Sequence, residues 1–149
     1  MLNSANRGKE QIIFGDDSVV IQKFISGIPG GRTLDVTGYP VANVLAGTAI
    51  IKVADAGAGR TGEFVYKPMP IKKDGKNEDE TDKYVYDTLP EGATYVGILY
   101  RSISVSDPQA SIMVDGVVNE AILPYGFASI KSAFATAVPH IIYMKDEVA

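Results

Sequence analysis

Short runs of β-branched and aromatic residues, each cut off by turn chemistry before it can lengthen, recur along this chain and restrict it to a sheet-based fold. QIIF (11–14) and SVVIQKFI (18–25) are separated by Gly15-Asp16-Asp17, and their composition favours strands. SGIPGGRTLDVTGYP (26–40) is dense in Gly and Pro and cannot propagate a helix. TAIIKVA (48–54) is the next strand, DAGAGRTG (55–62) a loop, and EFVYKPMPI (63–71) resumes extended structure. Pro68 and Pro70 lack amide donors there, which marks an edge of the sheet or an exit from it. KYVYDTL (83–89) and TYVGILYRSISV (94–105) complete the series.

ASIMVDGVVNEAIL (110–123) carries an Asp-Gly in an otherwise mostly apolar stretch. Asp-Gly suits a type I′ turn, in which both central residues need positive φ. The spacing therefore predicts a hairpin turning at Asp115-Gly116, with Val114 facing Val117 and Ala110, Ile112, Val114, Val117, Ala121 and Leu123 on one face. SDPQ (106–109) places Pro108 at a turn before it, so that three strands form a meander. One segment has a helical period: in GFASIKSAFATAV (126–138), Phe127, Ile130, Ala133 or Phe134, and Ala137 recur at intervals of three and four, and Pro139 stops the run. HIIYM (140–144) returns as a terminal strand. The expected class is mainly β with one late α-helix, an α+β arrangement.

At 149 residues the chain fits one domain, and such a domain buries about 70% of its unfolded surface, so it needs no staple. It contains no cysteine, which removes disulfides, thiolate zinc sites and cysteine nucleophiles. A net charge of −4 and a pI near 4.9 argue against a general nucleic-acid binder. No apolar run approaches a membrane span, and the polar opening MLNSANRGKEQ does not read as a secretory signal. His140 is the only histidine, and no G-x-S-x-G elbow accompanies the serines and aspartates. DGKNEDETD (74–82) lacks the ligand register of a calcium loop, and KKDGKNEDETDK (72–83) reads as a solvated loop. GIPGG (27–31) and GAGRTG (57–62) lack the Gly-Lys-Ser/Thr ending of a phosphate loop. The eight tyrosines and five phenylalanines have no basic stripe beside them and read as packing. The expectation is no catalytic, cofactor-binding or metal-binding residue, and no enzymatic activity.

Three stretches carry a family resemblance. AGTAIIKV (46–53) is followed by GEFVYKPM (62–69); LPEGATYVGILYRSISV (89–105) contains Gly97-Ile98-Leu99; and PQASIMVDGVVNEAILP (108–124) places Gly116, Val118 and Leu123 at matching intervals. In order and spacing these resemble the bacteriophage head decoration protein family, the lambda-type trimeric capsid-stabilising proteins. AVPHIIYM (137–144) departs from the pattern, with Pro139-His140 where the family has a glycine. The resemblance implies a β-tulip-like domain over residues 34–149, a homotrimer, and no cofactor. It places the protein on the outer capsid surface of a virion, reached from the host cytoplasm during assembly, with the major capsid protein as partner and neither nucleic acid nor membrane. Residues 1–33 lie outside it, as an N-terminal arm and strand segment. Within QIIFGDDSVVIQKFI (11–25), Ile12, Ile13, Phe14, Val19, Val20 and Ile21 are the candidate capsid-docking residues, acting by strand addition to a shell-protein edge; the other reading of 11–25 is an ordinary strand pair of the domain. An alternative is a carbohydrate- or protein-binding module of a head fibre or other virion surface structure, with the charged 72–83 tip or the loops in contact; a small hydrolase using His140 is a third.

Overall fold

In the computed structural model, which describes residues 17–54 and 64–145, the apolar runs become strands of a mainly β-sheet protein with short helices. A single helical turn, α1 (Asp17–Val20), leads into β1 (Ile21–Gly27). Then come β2 (Arg32–Thr33), β3 (Asn43–Val44), β4 (Ala49–Ala54), β5 (Phe64–Pro68), β6 (Ile71–Lys76), β7 (Asp82–Tyr86) and β8 (Thr94–Leu99). β9 (Ile103–Ser104), β10 (Gln109–Ala110) and β11 (Ile112–Asn119) precede α2 (Lys131–Ala137) and β12 (Ile141–Met144). The main sheet runs β1-β11-β8-β4-β5, and β12 joins β11 in parallel. β11 is its pivot. β1 lies along one side of β11, while β8 meets the start of its other side (Ile112↔Leu99) and β12 the end (Gly116↔Ile141 to Asn119↔Met144).

This sheet is buried on both faces, which is why AIIKV and VGIL are near-continuous apolar runs. Ala49, Ile51, Ile98, Met113 and Val118 enter a first core, closed by Phe127, Ile130, Phe134 and Val138 from the helical segment. Ile50, Leu99 and Ile112 point the other way, into a second core with Leu34, Val44 and Ala110. Each fully buried side chain of this size contributes about 1.5–3 kcal/mol. β2–β10 and β3–β9 are small two-stranded sheets that bring Ala110 and Val44 to the second core.

Several expectations need correction. Asp115-Gly116 is no hairpin turn, because β11 runs unbroken through it. The dipeptide sits where the β1–β11 register slips, with Ser26 opposite Asp115 and Gly27 opposite Met113, the local irregularity of a β-bulge. That slip lets Met113 and Val118 share the first core although strict alternation would separate them. Gly116 is needed for closeness: an added Cβ would meet the Lys23 carbonyl oxygen and the Met113 sulfur. The segment 72–83 is not a loop but most of the β6–β7 hairpin. The strand expected over 18–25 begins at Ile21, and the turn α1 before it allows the consecutive Val20 and Ile21 both to face the first core. The long strand 94–105 stops at Leu99, and the buried Ser102 hydroxyl holds the chain there by accepting the Ala46 amide at 2.9 Å. The helix over 126–138 divides into a 3-10 turn (Phe127–Ser129) and α2, after left-handed backbone at Tyr125 and Gly126. The boundary at residue 33 cuts through the domain, since β1 pairs along β11 and Arg32–Thr33 pair with β10.

A candidate interaction surface at the first strand

β1 begins buried and ends exposed. Ile21 closes the first core, after which Gln22 through Ser26 are all exposed. Three register shifts against β11 prevent regular alternation, so apolar side chains are not all turned inward. Phe24 is left 41% exposed and Ile25 50% exposed. β1 is also the sheet's end, and among the described residues no strand pairs with its outer side.

Phe24 is held rather than loose. Its ring lies 4.7 Å from the ring of Tyr100, tilted by 50°, and the Arg101 guanidinium stands 5.0 Å over that Tyr100 ring. The chain brings Tyr100 there because its amide is donated to the Ser111 carbonyl at 2.9 Å, which anchors the residue just past the end of β8. Arg101 and Lys23 make no ion pair among the described residues. The result is an aromatic pair with a guanidinium over it on the face of the sheet, Phe24 reaching inward from β1 and Tyr100 lying on the β8 side of β11. Aromatic and arginine side chains are the types that dominate binding energy at protein interfaces.

Other exposed apolar side chains are more scattered. Ile142 and Met144 project from β12, cross-strand from Val117 and Asn119. Phe64 of β5 is covered in part by the Lys52 ammonium at 4.4 Å. Leu45 is exposed beside Val44 of the second core.

The docking residues expected from sequence divide. Ile12, Ile13 and Phe14 lie outside the described residues. Val19 is half-buried, whereas Val20 and Ile21 are committed to the first core and so are not docking contacts, a correction that moves the exposed row to residues 22–26. Phe24 and Ile25 fell inside the 11–25 segment expected to dock without being named as contacts, and Tyr100 and Arg101 were missed because 94–105 read as one continuous strand. The available signal was the QKFI segment, whose polar-polar-apolar-apolar order fits no one-sided strand.

The chemical candidates are dispersed. His140 is exposed just before β12, and its carbonyl accepts the Gly116 amide at 3.3 Å. GIPGG folds as a turn closed by the Gly31 amide on the Ile28 carbonyl at 3.1 Å, and GAGRTG lies outside the described residues. No group of three or more His, Asp or Glu among the described residues is placed to hold a metal. No helix among them is long and apolar enough to cross a membrane. A depression of about 90 Å³ is lined by Asp35, Tyr39, Lys67 and three prolines; Asp35 there is held below its usual pKa by hydrogen bonds from Thr37.

Burial shifts several phenols upward. Tyr86 is fully enclosed, and its hydroxyl accepts the Ala49 amide at 2.9 Å. The Tyr39 hydroxyl is buried toward Tyr125 without closing a hydrogen bond of ordinary length, and desolvation raises its pKa most of all. Tyr143 is pushed up to about 12 by burial and by the nearby Glu120 charge. Lys131 pairs with Glu120 and sits 4.8 Å over the Tyr143 ring, which ties α2 to β12. These phenols pack the body together and do not converge on a cleft. No protein-family model, curated protein or solved structure matches this chain.

Proposed function

We propose that this protein is a structural decoration protein, which binds the outer surface of a phage capsid as a homotrimer and stabilises the shell. The observation that carries the reading is a well-packed sheet body with large apolar side chains left on its edge and terminal strands: Phe24, Ile25, Phe64, Ile142 and Met144. The resemblance of segments 46–69, 89–105 and 108–124 to the decoration family supports it from the sequence side. Shell cement acts by contact free energy spread over neighbouring subunits, so it needs exposed apolar anchors and strand edges and no reacting group. A three-fold assembly requires a head-to-tail interface whose rotation closes.

The test joins mass measurement in solution with sedimentation of the protein on expanded and unexpanded phage heads. The reading expects a trimer mass, co-sedimentation with heads, and attachment unchanged by His140→Ala. A monomer that fails to sediment with either form of head refutes it. Loss of attachment on His140→Ala, accompanied by a hydrolytic activity in the unaltered protein, would favour the enzyme instead.

A further inference from the structure

Asp-Gly occurs twice in the chain, at Asp74-Gly75 in β6 and at Asp115-Gly116 in β11, and the fold treats the two pairs in opposite ways. The dipeptide is prone to attack by its own backbone, because the glycine amide nitrogen has no side chain beside it to obstruct an approach to the aspartate carboxyl. In β11 that approach is blocked. The Gly116 amide is donated to the His140 carbonyl at 3.3 Å, and β1 and β12 flank the strand on its two sides. The space at the glycine is filled by the Lys23 carbonyl and the Met113 sulfur.

In β6 nothing comparable holds the pair. The register passes from Lys73↔Tyr84 to Lys76↔Asp82, which leaves one extra residue on β6 and puts Asp74-Gly75 outside the ladder pairing. Gly75 has left-handed backbone, φ 74°, as in a bulge built on glycine. Both residues are exposed, and apart from the chain neighbours no heavy atom lies within 4 Å of where a Gly75 side chain would begin. Lys73 and Lys76, on either side, both turn to Asp82, so Asp74 forms no ion pair among the described residues.

We propose that Asp74 is a site of spontaneous isomerisation to isoaspartate in the folded protein, whereas Asp115 is protected by its place in the sheet. The Gly75 amide nitrogen attacks Cγ of the protonated Asp74 carboxyl. An N–Cγ bond forms, and the carboxyl hydroxyl leaves with the amide proton as water, which gives a five-membered imide. Water then adds to one of the two ring carbonyls. Cleavage of the N–Cγ bond restores aspartate, and cleavage of the bond from nitrogen to the Asp74 main-chain carbonyl gives isoaspartate. Water is the only co-reactant, and no electron is exchanged with an outside group. The product lengthens β6 by one backbone atom where the ladder is already interrupted, so the hairpin root at Tyr86 stays in place. The site is independent of the decoration reading, because it follows from the dipeptide and its backbone setting.

The test incubates the full chain at physiological temperature and mildly acidic pH, beside a free peptide of residues 71–78 and a urea-unfolded sample. Isoaspartate is counted by labelled methyl transfer with an isoaspartyl methyltransferase and placed by mass spectrometry of proteolytic peptides, in which the imide is one water lighter. In the folded protein, isoaspartate at Asp74 should exceed that at Asp115 by at least about tenfold, since β11 must open before Gly116 can react. The Asp74 rate should lie within about tenfold of the free peptide, because the segment around it needs no such opening. In urea the two sites should become similar. Asp74→Glu, an exposed change that would require a six-membered ring, should remove the signal at that position, and Asp115→Glu should leave the Asp74 signal unaltered. Similar isoaspartate at both sites in the folded protein, an excess at Asp115, or an Asp74 that stays intact while the free peptide isomerises would overturn the proposal. Sedimentation with phage heads bears on the decoration reading alone.

Discussion

The β1 edge and the β6–β7 hairpin are both peripheral strand structures exposed over most of their length, yet they meet water in opposite ways. The hairpin carries its own counter-charges. Lys73 and Lys76 approach Asp82 at 3.4 and 3.2 Å, and its tip is closed by the Asn77 amide on the Thr81 carbonyl at 2.8 Å. Its root is pinned, because Tyr86 reaches into the first core and holds the Ala49 amide, while its own amide binds the Tyr125 carbonyl at 3.1 Å. β1 presents Phe24 and Ile25 to water, with the Phe24 ring tilted against that of Tyr100. The hairpin exposes charged and polar side chains, part of them paired across its strands, whereas β1 exposes two large apolar ones. Exposure alone therefore does not mark a binding surface, and the composition of what is exposed does.

The comparison breaks most visibly at the hairpin root. Tyr86→Ala should cost about 3–5 kcal/mol of stability, as expected for an aromatic removed from a core, while Phe24→Ala, at a half-open site, should cost less than about 1 kcal/mol. Tyr86→Phe isolates the hydroxyl and should cost about 1–3 kcal/mol by leaving a buried amide without its acceptor. Urea titrations of the three variants give the values. A Phe24→Ala loss equal to that of Tyr86→Ala would show that the β1 aromatic is core and not contact surface.

Alkali should act on the same root. Tyr39, Tyr86, Tyr125 and Tyr143 all have pKa values raised by burial. A raised folded value means that the stability is fully present below the unfolded pKa and is lost as pH rises above it, so unfolding should become easier above about pH 10. Phenolate absorbance should then appear together with loss of ellipticity. Gradual ionisation of these tyrosines in the still-folded protein would show that the root is open to solvent.

A smaller effect sharpens the account of the tip. Glu80 occupies left-handed backbone, φ 71°, just after the hairpin turn, a position that suits glycine. Glu80→Gly should raise stability by about 0.5–1 kcal/mol, the relief of the left-handed strain exceeding glycine's entropic cost, read as a higher melting temperature.

The smallest effect is at low pH. Asp82 is held below its usual pKa by hydrogen bonds from Lys76 and Lys73, and Asp79 by those from Thr81. Depressed folded values place this contribution above the unfolded carboxylate pKa and remove it as pH falls through the folded one. NMR titration should give both aspartates midpoints below that of free aspartate, with hairpin amides losing protection over the same range. Midpoints at the free-peptide value would mean that the pairs do not persist in water.

Much of the sheet was legible because β-branched runs between Gly and Pro leave few other choices. TAIIKVA, EFVYKPMPI and HIIYM lie close to β4, β5 and β12. In the charged hairpin KYVYDTL lies close to β7, but β6 was not legible, since five of its six residues are exposed and show no apolar alternation. Asp115-Gly116 misled for a related reason: the dipeptide that favours a two-residue turn also suits a bulge, and only a neighbouring strand on each side of β11 distinguishes them. The candidate surface was least legible. Phe24 and Tyr100 lie in separate runs, and nothing local to either one says that they stack.

Local chemistry, by itself, determined a mainly β protein with one late helical segment, without thiol chemistry and with an acidic balance of charge. Those follow from residue type and from spacing along the chain, which need no knowledge of what packs on what. Tertiary structure alone decided that β11 would run unbroken between β1 on one side and β8 and β12 on the other, that Val20 and Ile21 would face inward, and that Phe24 would meet Tyr100 from across β11. Each of those depends on contacts between residues far apart in sequence, where the free energy of burial and pairing outweighs the preference of any short segment.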